Sequence, residues 1–431
     1  MSFNKKTIRD IDLKGKRVLL RADYNVPVGP RGQITDDYRI QQSIPTLHYL
    51  LEQGCKVIIC SHLGRPSGPD DASCSLKPVA ERLSELIHKK VQFVDDCIGP
   101  HVQAAAQVLE AGELLLLENL RYHPEEEKND DHFAGELASL ADVFVQDGFG
   151  VVHRAHASTV AITRHVPSVA GLLLTKEVDT ITEVMENPKR PLMAIIGGAK
   201  IADKIDILTK LVELADFVAI GGAMANTFLL AEGVRTGKSL TDADDIPLAK
   251  QIMEQARSKA KSQPFVFYLP QDAVVAKKLD KAAQTRIVDW TAHVIADIEN
   301  YPKRPPHTAS MIADSESILD IGPFSGAFIA GGIQLAKTVI WNGTMGVTET
   351  PALIGPVGPF AHGTELIIEA MTGQFGPKPY SLVGGGDTVG YIEARQEIKF
   401  FNHVSTGGGA SLELMAGKKL PGVEALMAKT R

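Results

Sequence analysis

Short runs of apolar residues, not interrupted by polar ones, constrain the fold of this chain most strongly. The first half contains "KRVLLRAD", "KVIICSHL", "VQFVDD", "ELLLLEN" and "DVFVQDG", and the second half contains "PLMAIIGG", "DFVAIGG", "PFVFYLPQDAV", "KTVIWNG" and "YSLVGGG". Each run leads into glycine or polar residues and then into a helix-like segment. Strands of a parallel sheet are covered by helices on both faces, so they appear as continuous apolar runs. The pattern predicts an α/β fold with two doubly wound parallel-sheet, Rossmann-like domains.

The boundary between the two domains is predicted from a helical segment near the middle of the chain. A chain of 431 residues is too long for one ordinary core. Apolar residues recur at helical spacing in "GLLLTKEVDTITEVMENPKRP" at Leu174, Val178, Ile181 and Met185. Pro188 and Pro191 then end this helix. The pattern fits a helix that connects two domains and fits an ordinary crossover helix equally well; residues 300–310 are predicted as a surface loop.

Composition excludes several classes of partner and location. The formal net charge of −7 argues against a general nucleic-acid or membrane-surface binder, and no apolar run approaches the roughly 20 residues of a membrane span. The first residues lack the apolar stretch and cleavage site of an export signal. The cysteines Cys55, Cys60, Cys74 and Cys97 form no CxxC pair and no metal-ligand array, and Cys55 and Cys60, in or beside a strand-like run, are predicted to be reduced core thiols. We therefore expect a cytoplasmic protein with no nucleic-acid and no membrane partner.

Arginine residues follow several predicted strands of the first half, although the protein is acidic. The motifs are "SHLGRP" with His62 and Arg65, "NLRYHP" with Arg121, and "VHRAHAS" with Arg154. Ligands of doubly wound sheets bind at the carboxyl ends of strands, and the planar guanidinium group suits phosphate and carboxylate. Each arginine taken singly is typical of a surface salt bridge. Together the motifs indicate a site for a small anion.

Glycine clusters take the place of cations in the second half. They occur in "GGAKIADK", "GGAMANTF", "GGGDT" and "TGGGAS", and backbone amides at such turns can bind phosphate without a side-chain charge. Lys200 and Lys204 are four residues apart and are predicted to share a face of a helix that begins at Ala199. Asp387, in the first turn of its helix, could bind magnesium. Helix capping would explain Asp387 equally well, and a solvated helix face would explain the lysines.

The ordered motifs resemble those of phosphoglycerate kinase of the bacterial type. They are "KGKRVLLRADYNVP", "SHLGRP", "ENLRYHPEE", "HRAHAS", "GGAKIADKI", "WNGTMGV", "GGGDT" and "STGGGASLE", and they extend over nearly the whole chain. The resemblance implies phosphoryl transfer between 1,3-bisphosphoglycerate and MgADP, giving 3-phosphoglycerate and MgATP. It also implies a monomer with two domains that face a cleft. The implied parts are a 3-phosphoglycerate-binding domain at 1–171, a connecting helix at 172–188, a nucleotide-binding domain at 189–405, and a segment at 406–431 that returns to the first domain.

The resemblance also implies a role for individual residues. The catalytic set is Arg39, Lys204, Lys200, Gly385 and Gly408. The residues for 3-phosphoglycerate are Asp23, Asn25, Arg39, His62, Arg65, Arg121 and Arg154. The residues for ATP or ADP are Lys204, Gly221, Gly222, Ile318, Glu349, Gly385, Gly386, Asp387 and Thr388, and Asp387 also binds Mg²⁺. Phosphoryl transfer to an ionised acceptor needs positioning and positive charge rather than a general base, which agrees with the lack of a Ser–His–Asp or paired-carboxylate pattern.

The sequence departs from the family pattern in a few places. Thr344 stands where proline is usual, Ile318 stands where a glycine commonly contacts the nucleotide, and residues 350–359 lengthen a loop. Gln146 and Gly148 replace asparagine and alanine. These changes leave nucleotide preference open.

Two other functions stay open at this point. A dinucleotide-dependent dehydrogenase would need GxGxxG after the first strand, where this chain has "RADYNVP". A nucleotide-binding scaffold without catalysis would not need Arg39, Lys204 and Asp387.

Overall fold

The computed structural model describes residues 3–68, 71–290, 293–295 and 312–429, the short strand at 293–295 by its backbone alone. The chain divides into two compact units. The first comprises Met1–Thr182 and Thr406–Arg431, and the second comprises Glu183–Ser405. The division falls within helix α5, Leu172–Glu186, which lies in the segment predicted as the connecting helix. The loop predicted at 300–310 lies outside the described residues.

The first unit contains a six-stranded sheet in which all neighbouring strands are parallel. The strands are β1 Arg17–Arg21, β2 Lys56–Cys60, β3 Val91–Val94, β4 Leu114–Leu117, β5 Val143–Gln146 and β6 Ser168–Ala170. Their order is β3-β4-β2-β1-β5-β6. Val18 and Leu20 belong to one hydrophobic cluster, whereas Leu19 belongs to the other. Both faces of the sheet are therefore buried, which is why its strands are continuous apolar runs.

Helices surround this sheet, and the chain end returns to it. They are α1 Tyr38–Glu52, α2 Lys77–Ile87, α3 Pro100–Val108, α4 Asp131–Ala138, α12 Gly409–Met415 and α13 Pro421–Glu424. The N–H of Lys6 donates to the carbonyl of Met427, and the N–H of Met427 donates to the carbonyl of Ser168. The last residues of the chain thus pack on the first strand-like residues and on β6.

The second unit contains a seven-stranded sheet. The strands are β7 Leu192–Ile196, β8 Phe217–Ile220, β9 Val266–Leu269, β12 His293–Ile295, β14 Thr338–Asn342, β15 Tyr380–Gly384 and β16 His403–Val404. Their order is β12-β9-β8-β7-β14-β15-β16, and only β12 is antiparallel to its neighbour. The helices are α6 Ile205–Leu214, α7 Gly222–Ala231, α8 Ile246–Ala260, α9 Pro323–Leu335, α10 His362–Thr372 and α11 Gly386–Ala394. The prediction of two parallel-sheet α/β units is confirmed.

A small antiparallel sheet in the second unit was not predicted. It contains β10 Asp272–Ala276, β11 Arg286–Asp289 and β13 Ser317–Ile321 in the order β11-β10-β13. The run "PFVFYLPQDAV", interpreted as one strand, is divided at Pro270 into β9 and β10. Strand β11 is mostly exposed and so lacks a continuous apolar run. In the described part of the chain, no helix is both long and apolar enough to cross a membrane.

Candidate active site

Polar residues gather at the carboxyl edge of the first unit's sheet. Asp23 and Asn25 follow β1 directly, and Arg39 lies in the first turn of α1. A guanidinium nitrogen of Arg39 donates to the carbonyl of Asn25 at 2.9 Å and lies 3.3 Å from a carboxylate oxygen of Asp23. The side-chain oxygen of Asn25 accepts the N–H of Gly64, in the loop after β2, at 2.9 Å. The structure therefore brings Asp23, Asn25 and Arg39 together at this edge of the sheet.

His62 lies at the centre of the arginine cluster. Its side chain is buried, and this burial lowers its pKa well below the usual value. The positive charges of Arg21, Arg121, Arg39 and Arg154 lower the pKa further. Because all four charges act on one imidazole, their guanidinium groups lie around the same point of the fold. His62 is therefore neutral at physiological pH and can exchange hydrogen bonds with an anion without adding charge.

The remaining arginines differ in how firmly they are held. Arg121 donates to the carbonyl of Gly64 at 2.8 Å and lies 3.0 Å from a carboxylate oxygen of Glu127, and its side chain is nearly buried. Arg65 directly follows Gly64 and is exposed. The guanidinium groups of Arg65 and Arg154 have no hydrogen-bond or ion-pair partner among the described residues. Both are free to bind an anion.

A buried arginine at this site was missed in the sequence. Arg21, the last residue of β1, is 1% exposed, and its Nε donates to the hydroxyl of Ser158 at 2.8 Å. A second nitrogen lies 3.3 Å from Nδ1 of His62, and a carboxylate oxygen of Glu126 lies 4.0 Å away. The sequence signal that could have revealed Arg21 is a charged residue at the end of a buried apolar strand. Arg21 fixes the His62 ring, because it contacts both that ring and the loop that carries Arg154.

The glycine loop at 406–409 belongs to the first unit. The N–H and hydroxyl of Thr406 donate to the buried carboxylate of Glu177 in α5, at 2.7 and 2.8 Å. A Cβ at Gly407 would lie 2.3 Å from the Phe149 ring, so this position requires glycine. Gly408 has φ +50° and precedes α12. Its predicted catalytic role next to the nucleotide stays a prediction.

A cavity of about 270 Å³ lies in the second unit. Four of the predicted nucleotide-binding residues line it: Gly222, Ile318, Glu349 and Asp387. Its other walls are largely apolar, with Leu229, Leu240, Pro270, Trp290, Met345 and Val347 among them. A largely apolar cavity edged by a few polar groups is typical of a site for an aromatic base.

Gly222 shows why glycine is required beside this cavity. Its φ is +63°, and a Cβ there would lie 2.6 Å from the backbone nitrogen of Gly198 and 2.9 Å from the carbonyl oxygen of Thr344. Gly221 precedes it, at the start of α7. The loops after β7, β8 and β14 therefore touch through their backbones at the carboxyl edge of the sheet. Backbone groups of these three loops therefore lie at the carboxyl edge of the sheet, where phosphate is expected to bind.

Lys204 lies where these loops meet. Its ammonium group donates to the carbonyl of Gly197 at 2.6 Å and to the side-chain oxygen of Asn342 at 2.7 Å. Burial lowers its pKa from 10.5 to about 8, and the nearby carboxylates of Asp387 and Asp203 partly oppose this. The structure therefore holds a desolvated cation at the carboxyl ends of β7 and β14.

The predicted helix carrying both lysines on one face is wrong. The carboxylate of Asp245 accepts the N–H groups of Ile201 and Ala202, a short 3₁₀ turn covers Ala202–Lys204, and α6 begins only at Ile205. Lys200 precedes this turn, is 59% exposed and lies 3.4 Å from a carboxylate oxygen of Asp242. A helix that starts six residues later than predicted separates the two lysines.

The loop after β15 provides the predicted magnesium ligand. Gly385 has φ +94° and precedes α11, whose first residues are Gly386, Asp387 and Thr388. Asp387 is exposed, and its carboxylate has no hydrogen-bond or ion-pair partner among the described residues. Free carboxylate oxygens suit Mg²⁺, so this residue fits the metal. The hydroxyl of Thr388 is buried and accepts the N–H of Gly343 at 2.9 Å.

Two departures from the family pattern also lie at this cavity. Ile318 lines it from β13, and its N–H donates to the hydroxyl of Ser239. Thr344 lines it as well, and its hydroxyl donates to the carbonyl of Gly346 at 3.0 Å. The side chains that depart from the pattern therefore face the cavity itself.

Comparisons with known proteins agree with this arrangement. The family model described as phosphoglycerate kinase matches residues 8–418. The phosphoglycerate kinases of Moorella thermoacetica and Chloroflexus aggregans are each 45% identical to this chain, and the matches cover 98% or more of both chains. The solved structure of phosphoglycerate kinase from Coxiella burnetii is 34% identical with a TM-score of 0.77, and that from Pyrococcus horikoshii is 28% identical with a TM-score of 0.81. Both cover 98% of this chain and 98% of their own.

Proposed function

This chain belongs to the phosphoglycerate kinase family, whose reaction is reversible phosphoryl transfer in glycolysis, and we propose which of its residues carry that reaction. The chain is a phosphotransferase with a carboxyl group as acceptor. The division of the two substrates between the two units is our proposal. The cluster of guanidinium groups around His62 carries it, because that cluster is built for a small, multiply charged anion.

The first unit binds 3-phosphoglycerate or 1,3-bisphosphoglycerate. Arg65, Arg121 and Arg154 hold the phosphate that is not transferred, and the guanidinium groups of Arg65 and Arg154 have no partner in the part of the chain that the structure describes. Arg39 and Asn25 hold the glycerate end, with Asp23 accepting from its hydroxyl. Nδ1 of neutral His62 accepts from the Arg21 guanidinium, so its Nε2 donates a hydrogen bond to the anion. Bidentate contacts from guanidinium groups explain why arginine rather than lysine is found here.

The second unit binds ADP or ATP. The base occupies the apolar cavity beside Gly221 and Gly222, and Glu349 at its rim accepts from the ribose. The N–H groups at Gly385, Gly386 and Thr388 meet the phosphates at the start of α11, where the helix dipole also favours negative charge. Asp387 binds the Mg²⁺ that accompanies the nucleotide, and the metal neutralises charge on the phosphate oxygens.

Transfer requires positive charge on both sides of the moving group. The carboxylate of 3-phosphoglycerate is already ionised, so no side chain has to remove a proton from it. Charge builds up on the equatorial oxygens of the phosphoryl group, and Arg39 and Lys204 are the cations assigned to it. Transfer also requires that water is excluded from the moving group, because water would otherwise hydrolyse ATP.

The test is a coupled assay with ATP, 3-phosphoglycerate and Mg²⁺, with ADP binding measured by calorimetry on the same preparation. We expect turnover that depends on both substrates and is lost when Mg²⁺ is chelated. Binding of ADP without turnover would support a non-catalytic nucleotide-binding protein instead. A cytoplasmic location and a monomeric state, tested by fractionation and by sedimentation, complete the proposal.

A further inference from the structure

Three metal-binding side chains meet at the edge of the first unit's sheet, away from the arginine cluster. Asp96 and Cys97 follow β3, the edge strand, and His123 follows the short turn after β4. Nε2 of His123 lies 2.7 Å from Oδ1 of Asp96. These two atoms and the Cys97 sulfur all lie within 4.8 Å of one another.

We propose that Asp96, Cys97 and His123 form a binding site for a divalent transition-metal ion, with zinc as the best match. Thiolate, imidazole and carboxylate together are the ligands zinc prefers, whereas Mg²⁺ does not select a thiol. Ligand atoms of a tetrahedral zinc site lie roughly 3.5 Å apart, given metal–ligand bonds of about 2.0 to 2.3 Å. Small rotations of the three side chains would therefore close the site around an ion.

Neighbouring groups hold the Asp96 and His123 side chains in place, and an ion can reach both of them from solvent. The carbonyl of Asp96 accepts the N–H of Glu118 at 3.2 Å, and its carboxylate accepts the N–H of Cys97 at 2.7 Å. The His123 ring packs on Phe133 with 5.3 Å between ring centres. The side chains of His123 and Asp96 are 26% and 36% exposed, whereas Cys97 is fully buried. An ion would therefore reach the imidazole and carboxylate from solvent and bind the sulfur at the floor of the site.

Charge balance favours a dication at this position. On binding, the Cys97 thiol loses its proton to solvent, and His123 carries its ring proton on Nδ1, so that Nε2 offers its lone pair in place of its hydrogen bond to Asp96. Thiolate and carboxylate then carry two negative charges, which cancel the charge of the ion. A half-buried site with no net charge avoids most of the cost of placing an isolated ion away from water. Water fills the fourth position.

Co²⁺ is the probe, because a thiolate bound to cobalt gives an intense charge-transfer absorption. Chelator-treated protein without nucleotide is titrated with Co²⁺, and we expect this band to appear with one equivalent and to vanish when Zn²⁺ is added. Cys97→Ser should abolish the band, and Asp96→Asn and His123→Gln should weaken binding at least about tenfold.

Matched controls are available in the same unit. His101→Gln alters a neighbouring exposed histidine whose Nε2 lies 3.2 Å from Asp95, and Cys74→Ser alters another buried thiol; both should keep the band. Asp387→Asn should keep it too, which separates this site from the nucleotide metal. Absence of the band in the unaltered protein, or its persistence in folded Cys97→Ser protein, would overturn the proposal. If Cys97→Ser fails to fold by circular dichroism, retention of full affinity in His123→Gln would overturn it equally.

Discussion

The depressed pKa of Lys204 predicts a pH dependence of catalysis. Burial lowers this pKa from 10.5 to about 8, a difference worth roughly 3 kcal/mol between the charged and neutral forms. At pH 7 the charged form exceeds the neutral form about tenfold, and at pH 9 the ratio is roughly reversed. Since the charged form is needed at the transferring phosphoryl group, kcat/KM for MgATP should fall about tenfold per pH unit above pH 8.

The assay is steady-state kcat/KM for MgATP at saturating 3-phosphoglycerate, between pH 6.5 and 9.5. Lys204→Ala should lower activity strongly and remove the descending limb. The second unit contains a matched control, Lys259, whose pKa is also lowered to about 8, chiefly by burial. Lys259→Met should keep the limb, because its ammonium group binds the last carbonyls of α6 rather than the cavity edge.

A profile that is flat to pH 9.5 in the unaltered protein would contradict the assignment, provided circular dichroism shows the fold intact. Loss of the descending limb in Lys259→Met would contradict the assignment equally, because it would show that Lys259 causes the limb. The free enzyme is the relevant state, since kcat/KM reports its ionisation and bound phosphate would raise the pKa of Lys204.

Three further changes test other parts of the site. Arg39→Ala should lower kcat on the order of 10²-fold while calorimetric ADP affinity is retained; an unchanged kcat at saturating substrate would refute its role at the transferring group. Arg121→Ala should mainly raise KM for 3-phosphoglycerate in steady-state kinetics. A smaller loss of kcat is also expected, because the phosphate that Arg121 holds helps to drive closure. A change in KM for ATP alone would refute the role of Arg121. Gly222→Ala places a Cβ 2.6 Å from the Gly198 nitrogen at a residue with positive φ. Calorimetry should therefore show ADP binding weakened at least about tenfold. Unchanged affinity would show that the loop can shift.

Much of the fold could be predicted because both large sheets are covered on both faces. Because of that burial, strands such as β4, "LLLL", do not alternate apolar and polar residues, and they can be recognised in the sequence as apolar runs. The arginine cluster was predictable for a related reason. In parallel sheets the carboxyl ends of neighbouring strands meet at one edge, so residues distant in sequence, such as Arg39 and Arg121, both act on His62.

Other features depend on contacts between distant segments and left no local signal. The position of Lys200 depends on Asp245, which accepts two N–H groups of the loop and delays the start of α6. The small antiparallel sheet depends on pairing of β10 with β13, more than forty residues along the chain. Cys97 could not be recognised as part of a ligand cluster, because His123 reaches it only through the pairing of β3 with β4.

Comparison of Lys204 with Lys259 shows what marks a functional lysine in this fold. Both have pKa values of about 8, and in both cases burial is the main cause. Lys259 donates to the carbonyls of Val212 and Glu213, where cations commonly complete the end of a helix. Lys204 instead donates to Gly197 and Asn342 at the carboxyl ends of two adjacent parallel strands, beside the positive-φ glycines Gly198 and Gly343. A lowered pKa therefore reports only desolvation, and the place of the ammonium group relative to the strand ends is the reason that we propose Lys204, rather than Lys259, for phosphate binding.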